Sequence, residues 1–221
     1  MLGREYTPEE NARIAVATQL RQISHDLMRG DHDPDELHAL AGRLGVEAEL
    51  LAAPPDRVRD RLRFDDPESM PVPGQGEPFF NAPDRPFSGV GTPWSVPMHV
   101  VREGDRAVTE LVLGPAFEGA PLMSHGGIVA GIFDDLLGFL LVLQGTVAFT
   151  AYLTVNYHQA TKLGELLRFE AWVDRVDDKK LFLSAECHSG GQLITSSNGL
   201  FIDASQYFNS LATPHGSTTS E

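Results

Sequence analysis

The stretch Met123–Gln144, MSHGGIVAGIFDDLLGFLLVLQ, constrains the fold more than any other part of the chain. After Ser124-His125-Gly126-Gly127 it continues as an almost unbroken apolar run of helical length. A surface helix has one polar face, whereas this one carries apolar side chains around its whole circumference, so it is expected inside a core. It is too short, and too interrupted by Asp134 and Asp135, to be expected to span a membrane. A carboxylate taken into such a core is costly without partners. At least one of the two acids should therefore have a specific task.

The start of the helix offers a counterpart to those acids. The first N–H groups of a helix have no intrahelical acceptor, and the macrodipole places partial positive charge there. Gly126 and Gly127 have no side chains to block approach, so their N–H groups are candidates to bind an anion or a developing oxyanion. Gly126 and Asp134 are separated by roughly 12 Å at the α-helical rise, too far for both to act on one carbonyl. If both serve one site, they must come from two copies of the helix, antiparallel across a two-fold axis.

The flanking sequence supplies what would enclose this helix. Residues 1–68 read as a helical extension. Thr7-Pro8-Glu9-Glu10 is a capping box with proline at the first helical position, followed by a stripe of Ile14, Ala17, Leu20, Ile23 and Leu27. Asp33-Pro34-Asp35-Glu36 repeats the start signal ahead of Leu37, Leu40, Ala41 and Leu44, with Gly45 as the expected stop. Leu50-Leu51 and a short charged piece, Asp56–Phe64, complete the extension, which is expected to pack on the main domain or on a second copy. Residues 69–94 are rich in Pro and Gly and read as a linker or draped loop, with Phe79, Phe80 and Trp94 as signs of packing.

From Ser95 the period changes to two. Val96, Met98 and Val100 face one side, and Pro97, His99 and Val101 the other. Gly104-Asp105 turns the chain and Ala107–Leu113 returns it. After the helix, strands are expected at Val147–His158, Glu165–Val176, Lys180–Ser189 and Gln192–Ile202, with reversals at Asp177-Asp178 and Gly190-Gly191. Residues 205–221 read as a flexible tail. The expected fold is α+β, with an antiparallel sheet wrapped around the long central helix over residues 95–204.

Composition narrows the function. A net charge of -14 over 221 residues argues against nucleic acid as a partner, because phosphate binding needs a basic surface. The single cysteine, Cys187, allows no disulfide within the chain and reads as an inert small hydrophobe. The N-terminal stretch MLGREYTPEENARIA has no apolar signal core, which makes the cytoplasm the expected location. His99, His158 and His188 lack metal-ligand spacing, and there is no Gly-x-Ser-x-Gly elbow; no metal or other cofactor is expected.

Two strands, one buried helix and four strands, with His125-Gly126-Gly127, then Asp134, then Gly138, and with Thr150–Tyr157 (TAYLTVNY) after the helix, resemble the hotdog fold. Within it, the motif resembles the PaaI-like acyl-CoA thioesterases. The resemblance covers about residues 95–204. It implies hydrolysis of an acyl thioester, acyl-CoA first among candidates, to free acid and thiol. It assigns polarisation of the thioester carbonyl to the Gly126 N–H. Asp134 becomes the general base on water, or the nucleophile. Thr150 would orient the water or the acid, and His125 would shape the loop before the helix. It further implies substrate contacts at Gly127, Tyr152 and Asn156, and a homodimer or dimer of dimers with the site between subunits. Two departures stand out. His158-Gln159-Ala160 follows the Asn-Tyr pair where the family often has a basic residue and proline, and Gly119 stands where many relatives carry Asn or Gln. The fold leaves three other readings open: a thioesterase acting on an acyl-carrier protein; a non-catalytic hotdog protein that binds an acyl thioester or lipid; and, less favoured because its chemistry uses a histidine and an acid at a different spacing, a hotdog dehydratase. Asp135, about 100° around the helix from Asp134, reads as structural, and Glu118 as solvated.

Overall fold

A computed structural model gives the fold and describes residues 5–55 and 71–207. The charged piece expected at residues 56–64 and the tail beyond residue 207 lie outside the described residues.

The chain opens with two helices, α1 (Pro8–Arg29) and α2 (Pro34–Ala52). Thr7 and Glu10 close a reciprocal capping box on α1: Glu10 N–H donates to Thr7 Oγ1 at 3.2 Å and Thr7 N–H to Glu10 Oε2 at 2.9 Å. Asp33 caps α2 by accepting from the N–H groups of Asp35 and Glu36. Gly45, expected to stop α2, lies inside it. Glycine ends a helix when its φ turns positive; Gly45 is not among the positive-φ glycines, and the strong helix formers of Glu47–Ala52 carry the helix on.

Residues 71–100 form a strap with a polar spine. Asn81 Nδ2 donates to the carbonyls of Ser88 (2.8 Å) and Met98 (3.1 Å), Ser88 Oγ donates to Asn81 Oδ1 (3.1 Å), and Ser95 Oγ donates to Gly89 O (2.6 Å). These bonds satisfy backbone groups that would otherwise be buried unpaired. The strand expected from Ser95 is shorter than the sequence suggests: only Val101–Glu103 (β1) is regular. Val96, Met98 and Val100 are buried while Pro97 and His99 are exposed, as a period of two demands. Their backbone partners belong to the strap, with Val96 N–H bonded to Phe87 O at 2.7 Å. Pro97 has no N–H with which to extend a ladder.

The remaining strands are β2 (Arg106–Val112), β3 (Ala148–Tyr157), β4 (Leu166–Asp177), β5 (Lys180–Ser189) and β6 (Gln192–Asp203). They form one antiparallel sheet in the order β1-β2-β4-β5-β6-β3. The β5–β6 reversal at Gly190-Gly191 has φ of 56° and 79°, a conformation that glycine adopts without steric cost.

The central helix, α3 (Gly126–Leu143), packs across β2, β3, β4 and β5. Val129, Ile132, Phe133, Leu136, Leu137, Phe139, Leu140 and Leu141 are buried, each such side chain contributing about 1.5–3 kcal/mol. Phe133 meets Phe169 edge-on at 5.2 Å, and Phe139 meets Phe79 of the strap at 5.7 Å. Cys187 on β5 is buried beneath this layer, and burial pushes its thiol up to about 12. By length and composition α3 could cross a bilayer; here it is the core of the sheet.

One expectation for α3 is corrected. The helix is not covered all round. Gly127, Gly131, Asp134 and Gly138 share one stripe, and Gly127 and Asp134 are exposed. Three glycines and a carboxylate give that stripe little apolar area to bury. The strap covers it at Gly131, where an added Cβ would lie 2.1 Å from Phe87 Cε1.

Candidate active site

His125 is the N-cap of α3, and its Nδ1 accepts the Gly127 N–H at 3.0 Å. Ile128 N–H bonds to His125 O at 3.0 Å. Of the two glycine N–H groups at this end, Gly127's is therefore already committed. Gly126's has no acceptor among the described residues. Below it, the Tyr157 hydroxyl donates to Gly126 O at 2.7 Å. A Cβ on Gly126 would lie 3.1 Å from that hydroxyl oxygen, so glycine is what lets the ring approach. Burial pushes the Tyr157 phenol above its ordinary range, which keeps it a donor. A cleft of about 670 Å³ opens here, lined by Met123, His125, Gly126, Gly127, Tyr157 and Thr161.

The loop before the N-cap is fixed by Glu118, which the sequence suggested was solvated. Its Oε1 accepts the Leu122 N–H at 2.5 Å. Leu122 has φ of 65°, a left-handed conformation that a leucine holds only when its surroundings demand it.

Asp134 lies in a second cleft, of about 290 Å³, which also includes Arg85, Asp135, Gly138, Phe149 and Thr150. Thr150 Oγ1 donates to Asp134 Oδ1 at 2.9 Å, and no other hydrogen bond reaches the Asp134 carboxylate among the described residues. Asp134 is exposed rather than buried. Asp135 has the structural part: Ser88 N–H donates to its Oδ2 at 2.7 Å, and Arg85 Nη1 lies 3.5 Å from its Oδ1. The Arg85 guanidinium stacks 4.1 Å from the Phe139 ring centroid.

A bulge in β3 aims Thr150. Thr150 pairs with Phe201 and Tyr152 with Leu200, leaving Ala151 as the extra residue. Leu153 and Val155 pack on the core, and Tyr157 reaches Gly126. In a regular strand Thr150 and Leu153 would face opposite ways; the bulge puts both on the helix side. Tyr152 and Asn156 then lie on the other face, exposed, and line neither cleft. They are not brought together with Gly126 or Asp134 within one chain.

The two clefts share no residue. One chain thus presents the open N–H and the open carboxylate at separate places on one helix. β3, which carries Thr150, is the last strand of the sheet and is paired only with β6 among the described residues. Three residues gave no signal as site components in the sequence. Tyr157 was part of a strand pattern, Arg85 lay in a Pro/Gly-rich stretch, and Ser88 acts through its backbone.

A six-stranded antiparallel sheet packed on a central helix, with a glycine N-terminus and a mid-helix acid opening to clefts, defines a hotdog domain. The family model of the thioesterase superfamily matches residues 123–195, from the loop before α3 into β6. Mouse acyl-coenzyme A thioesterase THEM5 is 30% identical over 91 residues, covering 40% of this chain and 37% of that protein. Acyl-coenzyme A thioesterase THEM4 of Xenopus laevis is 33% identical over 91 residues, covering 40% of this chain and 41% of that one. The match spans about two fifths of the length of these relatives. The crystal structure of a thioesterase superfamily protein superposes with a TM-score of 0.73 at 22% identity, covering 92% of this chain and 94% of that one. That likeness, which is one of fold, extends beyond the sheet and central helix into the N-terminal extension.

Proposed function

We propose that the chain is an acyl-CoA thioesterase whose site forms between two copies of the chain. The observation that carries this is the split of chemistry along α3. An N–H at Gly126 with no acceptor among the described residues, and a carboxylate held among them by one Thr150 hydrogen bond, open into separate clefts. Each is half of a hydrolytic site. Two copies related by a two-fold axis, with their β3 edges together, would join Gly126 of one protomer to Asp134 of its partner.

The reaction follows from the two groups. Water attacks the thioester carbonyl carbon while Asp134 takes its proton. The oxygen that becomes negative sits at the Gly126 N–H, near the positive end of the helix. The tetrahedral intermediate collapses, the C–S bond breaks, and the thiolate leaves with the proton that Asp134 gives back. In the alternative course Asp134 attacks the carbonyl itself, and water then hydrolyses the anhydride. The acyl-coenzyme A thioesterase names of the relatives support CoA as the thiol carrier. The net charge of -14 disfavours an acidic carrier protein.

The test is thiol release from short, long and aromatic acyl-CoA esters, with wild type, Asp134→Asn and Gly126→Pro in parallel. Proline is tolerated at the first helical position and removes the N–H. Its ring carbons also meet Tyr157, which a Cβ would approach to 3.1 Å, so Gly126→Ala, which adds that Cβ and keeps the N–H, is run as the control. His125, with φ of -63° and ψ of 130°, already has the conformation that precedes proline. Asp134→Asn and Gly126→Pro should each lose about 10²–10³-fold or more in turnover. Mixing the two inactive variants should restore about a quarter of wild-type activity, because half the dimers are mixed and each has one intact site. No recovery in mixed dimers would overturn the shared site.

A further inference from the structure

The N-terminal helix touches the reactive end of α3 through one histidine. His25, near the end of α1, accepts the Ala116 N–H on its Nδ1 at 3.1 Å. Its ring stands edge-on to Phe117, with centroids 5.1 Å apart. Gly114 makes room for it, since a Cβ there would lie 2.7 Å from Nδ1. Ala116 and Phe117 belong to a short 3-10 turn, Pro115–Phe117. The carbonyl of that same Phe117 accepts the His125 N–H at 2.9 Å. His125 is the N-cap that precedes Gly126. Two hydrogen bonds and one peptide unit thus run from α1 to the residue before the open N–H.

The helix that carries His25 is itself anchored. Arg21 Nη1 donates to Val90 O at 2.8 Å and to Thr92 O at 2.7 Å, both in the strap. The Tyr6 hydroxyl donates to Asn81 O at 3.0 Å. His25 therefore presents a fixed acceptor rather than a roaming side chain.

We propose that His25 is a positioning residue for the Gly126 N–H, holding the Pro115–Phe117 turn against α1 so that Phe117 O holds the His125 N-cap. This rests on the reading of Gly126 as the oxyanion donor. The bond needs a neutral imidazole with its proton on Nε2, because a protonated ring has no lone pair to offer. Its surroundings favour that state. Burial, then Arg29, then Arg21 hold the ring below the ordinary histidine value, and the Gly114–Phe117 segment facing it carries no titratable side chain. Acid should therefore release the turn, and with it the alignment of Gly126.

Two substitutions separate the acceptor from the ring. His25→Asn keeps an acceptor near the Nδ1 position and loses the ring; His25→Phe keeps the ring edge against Phe117 and loses the acceptor. The full-length protein is assayed for kcat and KM on the best acyl-CoA ester, and amide hydrogen exchange is followed over residues 114–127. His25→Phe should lower kcat about tenfold with KM little changed, since only transition-state alignment is lost. It should also speed exchange at Ala116 and His125. His25→Asn should recover most of the kcat and should lack the part of the acid limb that follows His25 protonation. Unchanged exchange at Ala116 and His125 in His25→Phe would overturn the proposal, and so would faster exchange with wild-type kcat. If the Gly126 reading is at fault instead, Gly126→Pro will keep wild-type kcat, which tells the two failures apart. Should His25→Phe fold poorly, the pH profile of His25→Asn against wild type decides: identical acid limbs would overturn the proposal.

Discussion

Thr150 Oγ1 meets Asp134 Oδ1 at 2.9 Å only because Ala151 is bulged out of β3. Without that extra residue, the face that presents Leu153, Val155 and Tyr157 to α3 would turn Thr150 outward. The bond leaves the second carboxylate oxygen of Asp134 open. Thr150→Val should lower kcat about tenfold by freeing the acid to rotate. Thr150→Ser should keep most of the rate. Steady-state kinetics on the pair separates hydroxyl chemistry from packing; a Val variant with wild-type kcat would remove Thr150 from the site.

The adjacent acids should respond differently to loss of their side chains. Asp134→Asn is expected to lose turnover and keep its melting temperature, because the group is exposed and its one partner among the described residues is a hydroxyl. Asp135→Ala should cost about 1–3 kcal/mol of stability, since the Ser88 N–H of the strap loses its acceptor. Thermal unfolding alongside thiol-release assays checks both. Equal melting temperatures for wild type and Asp135→Ala would show that the strap holds without it.

Gly131 and Phe87 should behave as a pair. A methyl at residue 131 has no room beside the ring, so Gly131→Ala should destabilise by about 1–3 kcal/mol. The loss should shrink when Phe87 is also cut to alanine. Denaturant unfolding of the two single variants and the double variant measures the coupling, and strict additivity would contradict the contact.

The pH dependence of stability should have two separate windows. His25 is held below its ordinary value of 6.5 by burial and by Arg29 and Arg21, so its contribution is full above 6.5 and is lost as pH falls through the lower folded value. Glu170, held down first by its hydrogen bond to Arg168, and Asp203, held down by the Ser205 N–H, contribute above the ordinary carboxylate range and lose that contribution only at more acid pH. Melting temperatures between pH 7.5 and 5 should therefore fall in wild type and fall less in His25→Asn. The two should decline together below about pH 4, within the carboxylate range.

Much of this was legible in the order of residues. The apolar run of α3 announced a core helix, and the period of two after Gly145 placed four strands within a residue or so of their ends. The spacing of Gly126 and Asp134 already said that one chain cannot join them. Other features were out of reach for definite reasons. Asp134 read as buried because hydropathy ignores which side of a helix has something large enough to cover it. The resemblance assigned Tyr152 and Asn156 to substrate contact; that a bulge puts Thr150 on the face opposite theirs leaves no mark on a residue count. Ser88 and Phe117 act through backbone atoms, which every residue shares. Gly45 looked like a stop because glycine allows a left-handed turn but does not require one.

The single cysteine has a practical consequence. Cys187 is buried, and its thiol is held at about 12, so at assay pH the chain offers almost no thiolate. A chromogenic disulfide reagent can therefore sit in the cuvette with the folded protein and remain colourless until product thiol is released. The same silence turns into a signal on unfolding, when one equivalent of sulfhydryl per chain becomes reactive. A single reagent would then follow both turnover and the loss of the native state.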